Sequence, residues 1–168
     1  MSITMYQACV PVFQKSLTAL KAILKKGEDH CAARKIDPAV MLNSRLFPDM
    51  FALTRQVQIA ADVAKGACCR LAGKDVVSFE DKETTFADLY ARIDRTLELV
   101  NAASAADIDG SEDRDIVITP GGREMKFKGQ TFLVNWVMPN FFFHVTTTYA
   151  ILRHNGVEIG KMDFLGSF

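Results

Sequence analysis

The sequence predicts an all-α, up-and-down four-helix bundle with a small β-hairpin inserted before the last helix. Two observations carry that reading. Four segments repeat apolar residues at helical spacing, and one stretch switches to alternation around a glycine turn. At 168 residues the chain fits a single domain, 1–168, long enough to bury one core.

In the first helix, over 5–26, Phe13, Leu17, Leu20 and Leu24 form the apolar stripe, and Lys15, Lys21, Lys25 and Lys26 lie mostly off it. Pro11 falls inside the pattern, so the helix starts near Val10 or bends there. Residues 27–45 open with Gly27, include Pro38 and read as a connection with one short helical turn. The second helix is expected from "FPDMF", with Pro48 in the first position and Asp49 at the positive end of the dipole, to Gly73. Its stripe is Leu53, Val57, Ala60, Ala64, Ala67 and Leu71; the alanines favour close packing of a neighbouring helix over room for a ligand.

Thr85 and Asp88 have the spacing of a capping box, and Phe86, Leu89, Ile93, Leu97 and Val100 face inward on the third helix. Residues 101–114 are small, polar and acidic, and read as a surface connection. "DIVIT", "PGG" and "REMKFKG" give a hairpin at 115–128, with Met125 and Phe127 alternating against charged neighbours. A lone hairpin is marginal, so it must lean on the helices. The last helix runs from Thr131 to Asn155 with Gly156 as its cap; Phe132, Trp136, Phe143 and Thr147 keep roughly one face, which predicts a kinked, nearly continuous helix across Pro139. Phe164, Leu165 and Phe168 are expected to fold back onto the bundle.

Twenty basic and twenty acidic residues cancel, so no overall field attracts nucleic acid or an acidic membrane. The N-terminus lacks a secretory pattern and no apolar run approaches the ~18 residues of a membrane span, which predicts a cytoplasmic protein. Cys9, Cys31, Cys68 and Cys69 lack C-x-x-C spacing, and Cys68 and Cys69 would point about 100° apart on a helix. They read as small buried thiols.

The chemically suggestive block is "PNFFFHVTTTYAILRHNG", residues 139–156. His144 and His154 are separated by about 80° and about 15 Å on a helix, so they cannot share one ion. The residue four beyond His144 is Thr148, a poor ligand, and His30 lies in a distant connection. His154 suits the negative end of the helix dipole. His144 is a core or pocket histidine bonded to a neighbour, or the single candidate for catalysis or metal binding. A polar strip of Asn140, His144, Thr147 and Thr148 needs partners, which Gln56, Gln58 and Asp62 of the second helix offer; Gln58 and Asp62 share a face at i and i+4. Tyr149 reaches either a pocket or a backbone acceptor, and part of the "FFF" run is buried in the bundle, beneath the hairpin or at a subunit interface.

Residues 45–73 and 133–166, above all the histidine-bearing block, resemble an uncharacterised domain-of-unknown-function family grouped with the DinB/YfiT-like four-helix bundles. The resemblance covers nearly the whole chain. It implies a bundle fold, frequent dimers, and a superfamily site of three histidines holding a divalent metal, used by some members to transfer small thiols or to act on small electrophiles. His144 matches the first histidine of the last-helix pair, Thr148 replaces its partner, and residues 48–72 contain no histidine. The metal site is thus expected to be degenerate unless Gln56, Gln58 or Asp62 supplies ligands.

The expected function is a small-molecule-binding bundle without cofactor. Its pocket is placed between the second and last helices and draws on Gln56, Gln58, Asp62, Asn140, His144, Thr148 and Tyr149. A second copy of the chain is the expected protein partner; nucleic acid and membrane are not. The alternative is an enzyme, a transferase or hydrolase, in which His144 helps to hold zinc or nickel or serves as a general base.

Overall fold

The computed structural model describes residues 2–166. Helix α1 spans Met5–Arg34, α2 Pro38–Leu42, α3 Leu53–Leu71, α4 Phe86–Asn101 and α5 Ala105–Ile108. Strands β1, Asp115–Ile118, and β2, Met125–Lys128, pair antiparallel with Ile116 opposite Phe127. A helical path follows through α6, Gly129–Thr131, a π-helical stretch at Phe132–Val137, and α7, Met138–His154; α8 is Lys161–Leu165. Helices α1 and α3 each pack on α4 and α7, closing a four-membered ring around the core. This is the expected bundle with its inserted hairpin.

The first helix begins at Met5, as expected, but runs on to Arg34 rather than ending near residue 26. Thr4 caps it, accepting from Gln7 N at 3.2 Å while its own N–H donates to Gln7 Oε1 at 3.1 Å. Pro11 therefore sits inside the helix, on an exposed face. Gly27 does not end the helix but marks a close approach, since a Cβ there would lie 2.8 Å from Leu152 Cδ2. Burial of Cys31 keeps the following turn folded, and the chain leaves through Lys35 in the left-handed region at φ 55.

The second long helix starts later than expected. Pro48 and Asp49 occupy the middle of a turn closed by Met50 N–H on Phe47 O at 3.0 Å, a role proline suits as well as a helix start. Leu53 N–H then bonds Ser44 O at 2.9 Å, and α3 begins behind Ala52 without a side-chain cap. Its predicted stripe, Leu53 through Leu71, is buried throughout. The capping box of Thr85 and Asp88 forms on both sides, and the α4 face is buried as predicted except Leu97, which is half-buried.

The connection at 101–114 is not purely a surface loop, because α5 drives Ile108 fully into the core. At Pro139 the kinked, nearly continuous helix takes a specific form. Met138 N–H reaches back five residues to Leu133 O, and this widened turn lies just ahead of the residue that lacks a donor. Phe13 and Phe141 meet edge-on at 4.9 Å in the centre of the bundle, each fully buried and each contributing about 2 kcal/mol by burial alone. Phe164 returns to pack edge-on against Tyr149 at 5.9 Å, whereas Phe168 lies outside the described residues. Among the described residues no helix is long and apolar enough to cross a membrane.

The two ends of the hairpin meet at a tight point, where Gly129, just after β2, crosses the connection before β1. A Cβ at Gly129 would fall 1.9 Å from the Ser111 carbonyl oxygen, which is backbone and cannot swing aside. Gly129→Ala is expected to destabilise the protein by about 2–4 kcal/mol in urea unfolding. A change below ~0.5 kcal/mol would mean that the two chain segments do not meet closely here.

Candidate functional site

Gln56, in the first turn of α3, faces His144 of α7, with His144 Nδ1 2.6 Å from Gln56 Oε1. The other end of the amide fixes the direction of this bond. Gln56 Nε2 donates to the Phe51 carbonyl at 3.0 Å, so Oε1 is the atom turned to the ring. An amide oxygen only accepts. His144 therefore carries its proton on Nδ1 and presents Nε2 as a bare lone pair. No described residue hydrogen-bonds Nε2, and it is not among the sealed, partnerless polar atoms, so it keeps contact with solvent although His144 is only 8% exposed. Burial, reinforced by the positive charge of Arg55, pushes the imidazole from its usual 6.5 down to about 4.

The Phe143 ring stands edge-on to the imidazole at 5.2 Å. Next to it, Phe142, Phe143, Thr146, Thr147 and Ala150 of α7 and Leu46 line an open groove of about 380 Å³. His144 itself does not line the groove; it adjoins it through Phe143, its neighbour in the chain, and Thr147, almost one turn on. Leu46 and Phe143 of the lining are exposed by 40% and 55%, and Phe47 and Phe51, in the same segment as Leu46, by 63% and 55%.

The other predicted site residues are distributed over different faces. Gln58 Nε2 donates to Glu83 at 2.7 Å and Asp62 accepts from Arg92 at 2.9 Å, so their shared face looks toward α4 rather than toward His144. Thr148 is fully buried and its hydroxyl donates to the His144 carbonyl at 2.9 Å. Asn140 is half-buried one turn before His144. Tyr149 OH reaches the Ile159 carbonyl at 3.5 Å, the backbone alternative. Among the described site residues, Gln56 and His144 are the pair whose side chains bond across α3 and α7. His154 is exposed in the last turn of α7, and His30 lies on α1 near Gly156.

Sequence periodicity missed the most heavily charged interior position. Arg92 is buried on α4 and its guanidinium bonds Asp62 at 2.9 Å, Asp81 at 2.9 Å and Glu83 at 2.8 Å. Burial would lower its pKa, but Glu83, Asp62 and Asp81 together hold it raised. Lys65, also buried, bonds Asp62 at 3.0 Å and stands 4.7 Å over the Phe79 ring, whose surroundings also include the Arg92 and Arg95 guanidinium groups. Arg55 joins this lattice through Asp81 and Gln58. The irregular segment 74–84 is thereby fastened across α3 and α4. Arg92 follows the apolar Leu89 by three residues, a spacing that marks an inward position whatever the residue type.

The described groups around His144 offer few free donors for an ion. Thr148 is committed to backbone, both ends of the Gln56 amide have partners, and the described residues contain no group of three His, Cys, Asp or Glu able to hold a metal. The cysteines are not disulfide-bonded; Cys9, Cys31 and Cys68 are buried, and Cys69 is half-buried. A hydrogen bond with Cys68, followed by burial, raises the Cys9 pKa well above its ordinary value.

Two measurements check this geometry. Because the folded ring stays neutral to about 4 while the unfolded ring protonates near 6.5, its contribution to stability falls as pH drops through that window. The stability difference between wild type and His144→Gln should shrink by about 2 kcal/mol from pH 7.5 to pH 4.5. An unchanged difference would show that the ring is not held neutral. Arg92→Ala leaves three carboxylates without their shared cation, and a loss of about 3–5 kcal/mol in urea unfolding is expected. A loss near zero would show that the lattice is open to water.

The comparisons with known proteins agree with the fold. Residues 5–165 match the family described as Domain of unknown function (DUF1993). A crystal structure described as a DinB family member from Shewanella denitrificans superposes with a TM-score of 0.91 and is 42% identical, over 97% of this chain and 92% of that one. No curated protein matches. With the match spanning almost all of the described bundle, the chain belongs to the DUF1993 family of DinB-like helical bundles.

Proposed function

We propose that the protein binds a small, largely apolar molecule carrying a hydroxyl or N–H donor, seated in the groove on α7 and bonded to His144 Nε2. The observation that supports this is the fixed amide of Gln56, which keeps Nε2 unprotonated and facing outward. An acceptor at the edge of an apolar groove is a common way to orient a ligand. The alternative is an enzyme that uses the same nitrogen as a general base. Its pKa near 4 argues against that alternative, because a base that weak takes few protons at neutral pH. The reading includes no metal and no cofactor. It places the protein in a reducing cytoplasm, consistent with four free thiols, and buries the exposed Leu46, Phe47 and Phe143 rim against a second copy of the chain in a homodimer.

The test is a fragment screen by NMR on labelled protein, read at the His144 ring nitrogens. Donor-bearing apolar fragments should shift Nε2 and lose at least tenfold in affinity on His144→Phe. Zinc, nickel and manganese are titrated in parallel. Fragments that bind only elsewhere, or a stoichiometric metal that moves Nε2, would sink the proposal.

A further inference from the structure

We propose that Gln56 is a positioning residue through which segment 43–52 sets the hydrogen-bonding polarity of His144. With the Phe51 carbonyl on Gln56 Nε2 the site offers an acceptor; with that carbonyl withdrawn the amide is free to turn and the site gains access to a donor form. This inference rests on the ligand site proposed above and adds a control to it.

The chain of contacts is short. Phe51 O accepts from Gln56 Nε2 at 3.0 Å, and Gln56 Oε1 meets His144 Nδ1 at 2.6 Å. Without the Phe51 carbonyl nothing holds the amide in one orientation. A half-turn of the amide brings its NH₂ to the ring, where it can only donate, so Nδ1 must be bare. The proton on Nδ1 leaves to water and another enters from water at Nε2. The ring remains neutral, and its outward edge changes from acceptor to donor.

Segment 43–52 is suited to this role. It has no regular structure beyond one turn, and it is tied by Arg45 to the Met50 carbonyl, by Leu53 N–H to Ser44 O at 2.9 Å, and by Thr54 to Leu42 O at 3.1 Å. Leu46 of the same segment lines the groove. A molecule seated in the groove therefore touches the segment that carries the Phe51 carbonyl. The site can in this way receive a donor with the segment closed, or a carbonyl-bearing ligand with it displaced.

Long-range ¹H–¹⁵N correlation on the labelled full chain reads the tautomer directly. Wild type should show Nδ1–H. Gln56→Met should turn it largely to Nε2–H, the form a free imidazole prefers. Gln56→Glu, whose carboxylate still accepts from Nδ1, should restore Nδ1–H, and Arg45→Ala, which loosens the segment alone, should give a mixture. If Gln56→Met does not fold, Gln56→Asn, one methylene short of the ring, replaces it. Nε2–H in wild type would overturn both this inference and the ligand site. Nδ1–H retained in Gln56→Met would overturn only the role of Gln56, and an unchanged tautomer in Arg45→Ala would overturn the part assigned to the segment.

Discussion

The close packing of α3 against α7 is the constraint on which the rest depends. Ala60, Ala61, Ala64 and Ala67 are all buried on α3, and side chains this small set no spacer between neighbouring helices. Gln56 of α3 and His144 of α7, both buried, are then near enough to bond. Once they are buried they must bond, because an unsatisfied amide or imidazole costs about 1–3 kcal/mol. The tautomer of His144 thus follows from helix packing and from one carbonyl of the preceding turn. Glycine contributes in the same way on the opposite side, where Gly27 lets α1 approach Leu152 of α7.

The charged lattice on the other side of α3 follows different physics. Arg92 and Lys65 are removed from water, and Asp62, Asp81 and Glu83 offset that desolvation by direct contact. Glu83 shows the balance: burial would raise its pKa, yet hydrogen bonds from Arg92 and Gln58 leave it lowered. The arrangement gives segment 74–84 one position without secondary structure of its own. It also holds Arg55 through Asp81, so a charge that depresses the His144 pKa is itself held by the lattice.

Much of this was legible in the sequence, and the boundary is physical. The apolar stripes of α3 and α4, the Thr85 capping box and the hairpin are local patterns, and all form as read apart from the half-buried Leu97. The end of α1 at Arg34 and the start of α3 at Leu53 were not legible. Gly27 and Pro48 are conventional boundary residues that tertiary packing employs for a close approach and a turn. The contact of Gln56 with His144 was half legible: both residues were named for the second and last helices, but their pairing depends on how those helices are rotated. Gln58, Asp62 and Tyr149 were named on the same reasoning and lie toward other neighbours. Arg92 does not stand out because the apolar stripe is read from apolar residues alone, although its spacing from Leu89 is inward.

The π-helical stretch before Pro139 has a consequence for the helix as a phase. A widened turn inserts one residue into the winding, which rotates everything upstream by about 100° relative to everything downstream. Phe132, where the stretch begins, and Trp136 within it meet Phe127 of the hairpin, each at 5.9 Å. Downstream, Phe141, His144, Thr148 and Ile151 face the bundle. Two surfaces that a uniform helix would carry out of step are brought into register by a single surplus residue. Shortening that stretch by one position would leave either the hairpin or the histidine facing the wrong way, so its length is as much a part of the site as the residues within it.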